Sequence, residues 1–268
     1  MAVTLSVFGE RGGREATLMG HTRAIENAIR VMHTHLHERL TLADLASAAY
    51  LSPYHFNRVF HQVVGIPPGE YLSGLRLQTA RRLLLTTSLS VTDICFEVGY
   101  TSPGSFTTRF TQLVGLPPRL LRRRAHEFSL SPLEHAAQFA LTPSLTPQNQ
   151  DRPAACGYVS APPGFQGMIC VGVFARPIPQ GAPVTCARLN ASGFYSLAGL
   201  PDGVYYPLAA AFPIAADLQS YFLPGDNLLV GTGAGPLMVR RGRLAGNPDI
   251  VLRAPRLTDP PLVMALPL

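Results

Sequence analysis

Side chains that can hydrogen-bond to the edges of nucleic-acid bases lie along a predicted helix over residues 53–63. Phe56 and Phe60 form its buried stripe, because residues four apart share one helical face. The side chains left facing outward are Tyr54, His55, Asn57, Arg58, His61 and Gln62. An Asn amide can bond adenine bidentately, an Arg guanidinium can bond guanine, and a Tyr ring can pack on a thymine methyl. The alternative is a solvated face or a phosphate contact, which we favour for His61 and Gln62.

A second stretch, SVTDICFEVGYTSPGSFTTRFTQLVGLPP over residues 90–118, predicts two short helices joined by a tight turn. Ser90 and Asp93 have the spacing of a capping box, which fixes the start of the first helix. Gly99 supplies a turn residue for the left-handed conformation, where a side chain would be strained. Two phenylalanines four residues apart then form the buried stripe of the second helix. The side chains left facing outward there are Ser105, Thr107, Thr108, Arg109 and Gln112.

The stretch over residues 90–118 and the stretch that ends with the helix over 53–63 are two copies of an internal repeat. Thr41 repeats Ser90 at the start of a capping box, and Ser52 repeats Ser102 before the proline of the second helix. The first pair is 49 residues apart and the second pair 50, so the second copy has one extra residue in its turn. A repeated helix-turn-helix predicts two modules that each present one helix to a major groove.

The motif D-I-C-F-E-V-G-Y, followed by S-x-x-S-F-x-x-x-F and G-L-P-P-R, resembles the DNA-binding domain of AraC/XylS-type transcription regulators. The resemblance covers about residues 20–124 and implies a tandem helix-turn-helix that binds double-stranded DNA. It implies base contacts from Tyr54, Asn57 and Arg58, with which the outward-facing His55 is grouped. In the second unit it directs toward the duplex Gly104, Ser105, Thr108 and Arg109. Because two of these are small, we expect shape and phosphate contact to dominate there.

Arginines flank the second motif on both sides. A helix over residues 70–85 connects the motifs, and at ~1.5 Å per residue it holds the reading helices about one duplex turn apart. Arg81 and Arg82 are predicted to be exposed on it, as phosphate contacts or as a salt-bridged surface. The run Arg122-Arg123-Arg124 stands where the resembling family has a Tyr-Arg pair, and we expect it to clamp the DNA backbone.

The distribution of charge favours a nucleic-acid binder. Charged residues are 14% and hydrophobic residues 47%, which predicts a globular chain. Between His21 and His126 there are 12 Arg and 6 acidic residues, and the rest of the chain has 10 of each. The whole basic excess therefore lies on the helix-turn-helix half. We find no apolar run long enough for a bilayer and no basic amphipathic helix, so no membrane contact is expected.

The sequence beyond about Tyr158 predicts strands, because short apolar runs alternate with Gly, Pro and Asp turns. The runs cover residues 168–174, 183–189, 193–200, 203–212, 226–233, 248–255 and 261–267. Six or seven strands at this spacing predict an all-β sandwich. The pattern G-F-Y-S-L-x-x-L-P-x-G-x-Y, ending in N-P-D-I-V-L-R, resembles transthyretin-like domains of the carboxypeptidase regulatory type. That resemblance implies a docking or sensing module.

The predicted fold class is multidomain, with an N-terminal all-α tandem helix-turn-helix and a C-terminal all-β sandwich. The expected parts are a flexible leader (1–19), the DNA-binding domain (20–126), a short helix with a Pro-rich linker (127–156) and a β-sandwich regulatory domain (157–268). The segment beyond residue 126 holds 8 Arg against 8 acidic residues. We therefore expect a fragment ending near Ala140 to bind DNA without the sandwich.

These features predict a cytoplasmic, sequence-specific transcription regulator, either an activator or a repressor, with double-stranded DNA and RNA polymerase as partners. We expect no enzyme, because all 8 His precede residue 136 and the β domain cannot build a triad. No cofactor or metal is expected, since His33 and His37 lack a third ligand and no CxxC pair occurs. Homodimerisation through the β domain is favoured slightly over sensing of a small-molecule effector. The alternatives are a low-specificity accessory DNA binder assembled through its β domain, and a DNA-tethered enzyme.

Overall fold

The chain is helical in its first half and built from strands in its second. The computed structural model describes residues 6–129, 155–214 and 227–264. The helices in those ranges are α1 Ser6–Thr34, α2 Leu42–Ala48, α3 Pro53–Val64, α4 Pro68–Thr86, α5 Val91–Glu97, α6 Pro103–Val114 and α7 Pro118–Ser129. The predicted short helix over 131–141 lies outside the described residues, as does nearly all of the predicted linker.

Helix α1 begins earlier than the sequence predicts. The expected flexible leader over residues 1–19 is corrected, because the helix continues back to Ser6 and ends at Thr34. The glycines of the leader favoured an irregular segment in the sequence. A helix that is already nucleated extends by one hydrogen bond per residue, however, so intrinsic propensity is a weak guide at its end.

The first of two compact units comprises residues up to Arg76 together with Arg256–Pro260. Its fully buried side chains come from α1, α3 and the following turn, and include Ile25, Ile29, Met32, Phe56, Phe60 and Ile66. The C-terminal segment joins this unit at Tyr71, whose hydroxyl donates to the carbonyl oxygen of Leu257 at 2.8 Å. Burial, with a smaller effect from Asp259, raises the pKa of the Tyr71 hydroxyl, so it remains a donor at neutral pH.

The second compact unit comprises Leu77–Pro255 and the residues from Pro261 onward. It contains the C-terminal half of α4, helices α5 to α7 and all of the strands. The buried side chains of its helices include Leu84, Ile94, Cys95, Phe106, Phe110 and Leu121. A backbone hydrogen bond joins its helical and β parts, since the Gly181 N–H donates to the Leu113 carbonyl oxygen at 2.6 Å.

The β part has two sheets. Its described strands are β1 Ala155–Ser160, β2 Gly167–Phe174, β3 Thr185–Leu189, β4 Gly193–Leu197, β5 Gly203–Pro213, β6 Leu229–Thr232, β7 Leu237–Arg240, β8 Arg243–Ala245 and β9 Ile250–Val251. One sheet has the order β4-β1-β9, and the other has the order β3-β2-β5-β7-β8 with β6 also paired to β5. Every pairing is antiparallel except that of β1 with β9.

The two sheets bury one common apolar core. Together with the helices of the first half, they confirm the predicted combination of an α and a β region. Val159 and Leu197 of one sheet belong to the same buried cluster as Val171 and Val239 of the other. The Tyr205 hydroxyl donates to the carbonyl oxygen of Pro201 at 3.0 Å and fixes the start of β5. A tyrosine bonded to backbone a few residues upstream is a device of β-sandwich corners.

The strand predictions were incomplete at the two ends of the β part. Strands β1, β7 and β8 were not predicted, because short runs interrupted by Arg and Gly give a weak period-two pattern. The predicted strand over 261–267 is wrong in its described part. There the N–H groups of Val263 and Met264 both donate to the Pro179 carbonyl oxygen at 3.1 Å instead of forming a ladder.

Candidate nucleic-acid interface

Local hydrogen bonds set the framework of the first helix-turn-helix motif, formed by α2 and α3. The Thr41 N–H donates to Asp44 at 2.8 Å, and the Asp44 N–H donates to the Thr41 hydroxyl at 3.2 Å. Ser52 caps α3 by accepting from the His55 N–H, and Gly65 ends that helix at φ 85°. These contacts confirm the predicted capping box and the predicted start of the reading helix.

The aromatic pair of α3 faces inward and leaves the polar side chains outside. The rings of Phe56 and Phe60 lie 5.5 Å apart and are fully buried. On the other face, Tyr54 is 84% exposed, and Asn57 and Arg58 are exposed as well. The helix therefore presents an amide, a guanidinium and a phenol together to solvent.

His55 does not share this exposed face. It is half-buried, and its ring meets the ring of His21 on α1 edge-on at 5.7 Å. Its Nε2 is shielded from solvent and has no hydrogen-bond partner in the described part of the chain. The prediction that the His55 ring faces fully outward is wrong, because the ring packs α3 against α1, while its contact with DNA stays a prediction.

Tyr50 is a surface residue that the sequence analysis missed. It lies in the turn between α2 and α3 with φ 56°, a left-handed conformation that costs a bulky residue free energy. Its side chain is 90% exposed. The repeat could have predicted this conformation, since Tyr50 occupies the turn position that corresponds to Gly99, which has φ 79°.

The second motif, formed by α5 and α6, has the same framework. Ser90 and Asp93 form its capping box, and Ser102 caps α6 by accepting from the Ser105 N–H. The rings of Phe106 and Phe110 lie 5.6 Å apart and are fully buried. The predicted buried stripe and the left-handed Gly99 are confirmed.

The outward face of α6 carries smaller groups. Gly104, Ser105 and Thr108 are exposed, as predicted. The Ser105 hydroxyl donates back to the Ser102 carbonyl oxygen at 2.9 Å. Arg109 is half-buried and donates to the Gln112 side chain at 3.3 Å. The exposed face of α6 therefore carries small side chains and few that are long enough to reach base edges.

Arg81 is corrected from an exposed residue to a buried one. It is 4% exposed, and its guanidinium donates to the carbonyl oxygens of Val263 and Met264. Burial lowers its pKa to about 10, so it stays charged at neutral pH. Arg81 therefore joins α4 to the C-terminal segment and cannot contact phosphate in this structure.

The three arginines of α7 have different surroundings. Arg122 is half-buried and donates to the carbonyl oxygens of Leu84 at 2.9 Å and Leu89 at 2.8 Å, so it ties α7 to the end of α4, while its contact with the DNA backbone stays a prediction. Arg123 is exposed and pairs with Glu127 at 3.6 Å, an arrangement worth about 0.3–0.5 kcal/mol that DNA can displace. Arg124, like Arg82 on α4, is exposed.

The described residues contain neither a metal-binding group nor a membrane-spanning helix. No group of three or more His, Cys, Asp or Glu side chains that could hold a metal ion occurs among the described residues. In the same ranges, no helix combines the length and apolar character needed to span a bilayer.

Comparison with known proteins matches the helical half. The model of a helix-turn-helix domain family matches residues 45–124. The regulatory protein PocR of Salmonella typhimurium is 31% identical over 112 residues, which are 42% of this chain and 37% of that protein. The lactose operon transcription activator of Staphylococcus xylosus is 32% identical over 79 residues, which are 30% of this chain and 28% of that protein. The chain thus spans less than half the length of these relatives.

Two solved structures align with the same half. An AraC-type transcriptional regulator from Chromobacterium violaceum has 29% identity and a TM-score of 0.38, over 40% of this chain and 95% of that one. The DNA-binding domain of AdpA, solved in complex with a target DNA, has 29% identity and a TM-score of 0.36, over 40% of this chain and 93% of that one. The family match over residues 45–124, which covers nearly all of both capped motifs, shows that the first half of this chain contains a helix-turn-helix domain.

Proposed function

We propose that this protein is a sequence-specific, DNA-binding transcription regulator that reads two adjacent major-groove segments. The observation that carries the proposal is the exposed triplet of Tyr54, Asn57 and Arg58 on a reading helix whose opposite face is locked by buried aromatic rings. A rigid helix that presents an amide and a guanidinium together matches the chemistry of adenine and guanine edges. The relatives that align with this half are named as regulators, which supports the proposal.

The two motifs divide the work in this proposal. Asn57 and Arg58 contact bases and Tyr54 packs on a thymine methyl, so the first motif supplies most of the sequence preference. The second motif follows the groove through Gly104, Ser105 and Thr108, with Arg109 released from Gln112 to reach the duplex. The exposed arginines Arg82, Arg123 and Arg124 bind phosphates, which raises affinity for every sequence alike.

The layout proposed for the chain is a DNA-binding domain over 20–126 and a regulatory β-sandwich over 157–268. In this proposal the protein acts in the cytoplasm and contacts RNA polymerase. Its proposed role is activation, because the staphylococcal relative is named a transcription activator. The sandwich associates with a second copy or binds an effector, with dimerisation slightly favoured. No catalytic step is part of this proposal.

Selection of bound sites from random duplex DNA tests the proposal. We expect one enriched sequence, and Arg58→Ala should cost about 1–3 kcal/mol on it and relax preference at one position. Arg30→Ala is the matched control, because Arg30 is also exposed but pairs with Glu26 on α1 at 3.4 Å.

The alternative function, a low-specificity accessory DNA binder, makes a different prediction in the same experiment. It predicts equal affinity for selected and random duplexes, and equal losses on both for Arg58→Ala. That result would overturn the proposed division of labour between base and phosphate contacts.

A further inference from the structure

The hairpin of β7 and β8 carries three exposed arginines, Arg240, Arg241 and Arg243. Its turn is anchored by Asp202, whose carboxylate accepts from the Arg241 N–H at 2.8 Å and from the Gly242 N–H at 3.4 Å. Among the residues that the structure describes, no carboxylate forms an ion pair with any of the three guanidinium groups. We call these three residues the arginine hairpin.

The strand register places two of these charges face to face. Arg240 and Arg243 are direct cross-strand partners, and Met238 and Ala245 form the next pair on the same side. Val239, between them along β7, is buried in the core, so the arginines lie on the outer face. Like charges directly opposite each other destabilise a sheet. An anion bound between the two guanidinium groups would turn this repulsion into attraction.

Arg241 opposes the stability of the hairpin in a second way. Arg241 has φ 50° and Gly242 has φ 73°, so both central residues of the turn are left-handed. Such turns favour Asn-Gly or Gly-Gly, because a long side chain is strained in this conformation. Local choices that lower stability are typical of functional surfaces, so this hairpin is a candidate contact surface.

The surface beside these arginines is open and wide. Met238, Ala245 and the arginine hairpin line a depression of about 600 Å³. The cross-strand partner of Met238 is Val204, which is exposed as well. A basic depression lined by exposed side chains suits an extended anion, such as a nucleic-acid backbone, better than an enclosed small molecule.

We propose that the arginine hairpin binds the phosphates of duplex DNA while the helix-turn-helix motifs read its bases, an inference that rests on the proposed function. The planar guanidinium bonds a phosphate bidentately, which a Lys ammonium does less well. The hairpin and the second motif belong to one compact unit. The segment beyond residue 126 is balanced in charge, yet three of its 8 Arg lie within four consecutive residues.

Salt titration of binding by the full chain to a random-sequence duplex tests this inference. Replacing both Arg240 and Arg243 by Gln should lower the slope of log affinity against log salt by about 2. The loss of affinity between ~50 and ~200 mM salt should then shrink about tenfold. The same variant should melt at an unchanged or higher temperature, because the cross-strand repulsion is gone. Replacing both by Lys keeps the charges and is the matched control, with a slope close to that of the unchanged protein.

Arg241→Asn provides a second variant should the Gln pair disturb the sheet. Asn tolerates the left-handed turn, so the melting temperature should rise while the salt slope falls by about 1. A folded Gln variant with an unchanged slope would overturn the inference and would point to an acidic protein surface as the partner of the hairpin. Failure of the unchanged protein to bind any duplex would overturn the proposed function instead.

Discussion

The two helix-turn-helix motifs share an inner framework and differ in what they expose. Both have a capping box, a serine cap before the second helix and a buried pair of phenylalanine rings. Outside, the first motif presents Tyr54 and Arg58 where the second presents Gly104 and Thr108. The two copies thus share the residues that determine folding, while their exposed side chains are long and polar in the first copy and small in the second.

Their turns differ in the same sense. The second motif uses Gly99 at φ 79°, which carries no steric cost, whereas the first holds Tyr50 at φ 56° with its ring in solvent. The first motif therefore accepts strain and the second avoids it. Strain retained at an exposed aromatic residue agrees with a contact role for the first turn.

The largest effect is expected from removing the shared framework. Phe60→Ala or Phe110→Ala should each lower the free energy of unfolding by about 3–5 kcal/mol, because each leaves a cavity in a small helical core. Thermal or urea unfolding measures this. Phe96→Ala is the matched control, since Phe96 is 52% exposed on α5 and should change stability by about 0.5 kcal/mol or less. A much smaller loss for one of the two phenylalanines would show that the frameworks are not equivalent.

The next effect distinguishes how the C-terminal segment supports each unit. In the first unit, a carbonyl oxygen of this segment accepts one neutral hydrogen bond from Tyr71. In the second unit, two of its carbonyl oxygens accept from the buried guanidinium of Arg81. Ending the chain after Pro255 should cost about 3 kcal/mol or more, mainly by leaving that buried charge unpaired. A loss of this size would argue against the expectation that a fragment ending near Ala140 binds DNA without the sandwich, because both truncations remove the C-terminal segment.

Arg81→Met in the truncated chain is the test of mechanism. It removes the charge that the missing carbonyl oxygens stabilised, so it should recover part of the lost stability. Arg82→Met, at the exposed neighbouring position, should recover none. Equal behaviour of the two variants would show that the segment acts through apolar packing alone.

The framework of the motifs could be predicted from the sequence because it is local. Phe56 and Phe60, the capping boxes and Gly99 are all specified by residues within a few positions of one another. Arg81 could not be predicted, because the carbonyl oxygens that bind it lie 182 and 183 residues further along the chain. The partial burial of His55 could not be predicted for a related reason, since it depends on packing against His21 of another helix.

In the β half, most strands could be predicted from their apolar residues, whereas the strands with charged residues could not. The long strand β5 is buried over most of its length and was predicted nearly to its ends. Strands β7 and β8 were missed, because Arg240 to Arg243 resemble a loop in the sequence. The total charge beyond residue 126 also gave no sign that three arginines would meet on one hairpin.

A smaller effect tests the difference between the turns directly. Tyr50→Asn should raise the free energy of unfolding by about 0.5–1 kcal/mol, because Asn tolerates the left-handed conformation. Gly99→Ala should lower it by about 1 kcal/mol, because a Cβ is introduced at positive φ. If Tyr50 contacts DNA, Tyr50→Asn should weaken binding while it stabilises the fold. Unchanged affinity for DNA would show that Tyr50 is strained without contacting the duplex.

The smallest effect concerns the acid stability of the two capping boxes. Hydrogen bonds from the Thr41 hydroxyl, at 2.6 Å, and from the Thr41 N–H, at 2.8 Å, hold the pKa of Asp44 below its usual value. A carboxylate with a lowered pKa in the folded state stabilises it above the unfolded value, near 3.9, and loses that contribution as the pH falls through the folded value. Asp44→Asn should therefore flatten the fall in melting temperature below about pH 4. Asp93→Asn is the comparison at the same position of the second box, where the Ser90 N–H lies further from the carboxylate, at 3.2 Å. A larger change for Asp93→Asn would show that the two boxes differ in a way that their hydrogen-bond lengths do not reveal.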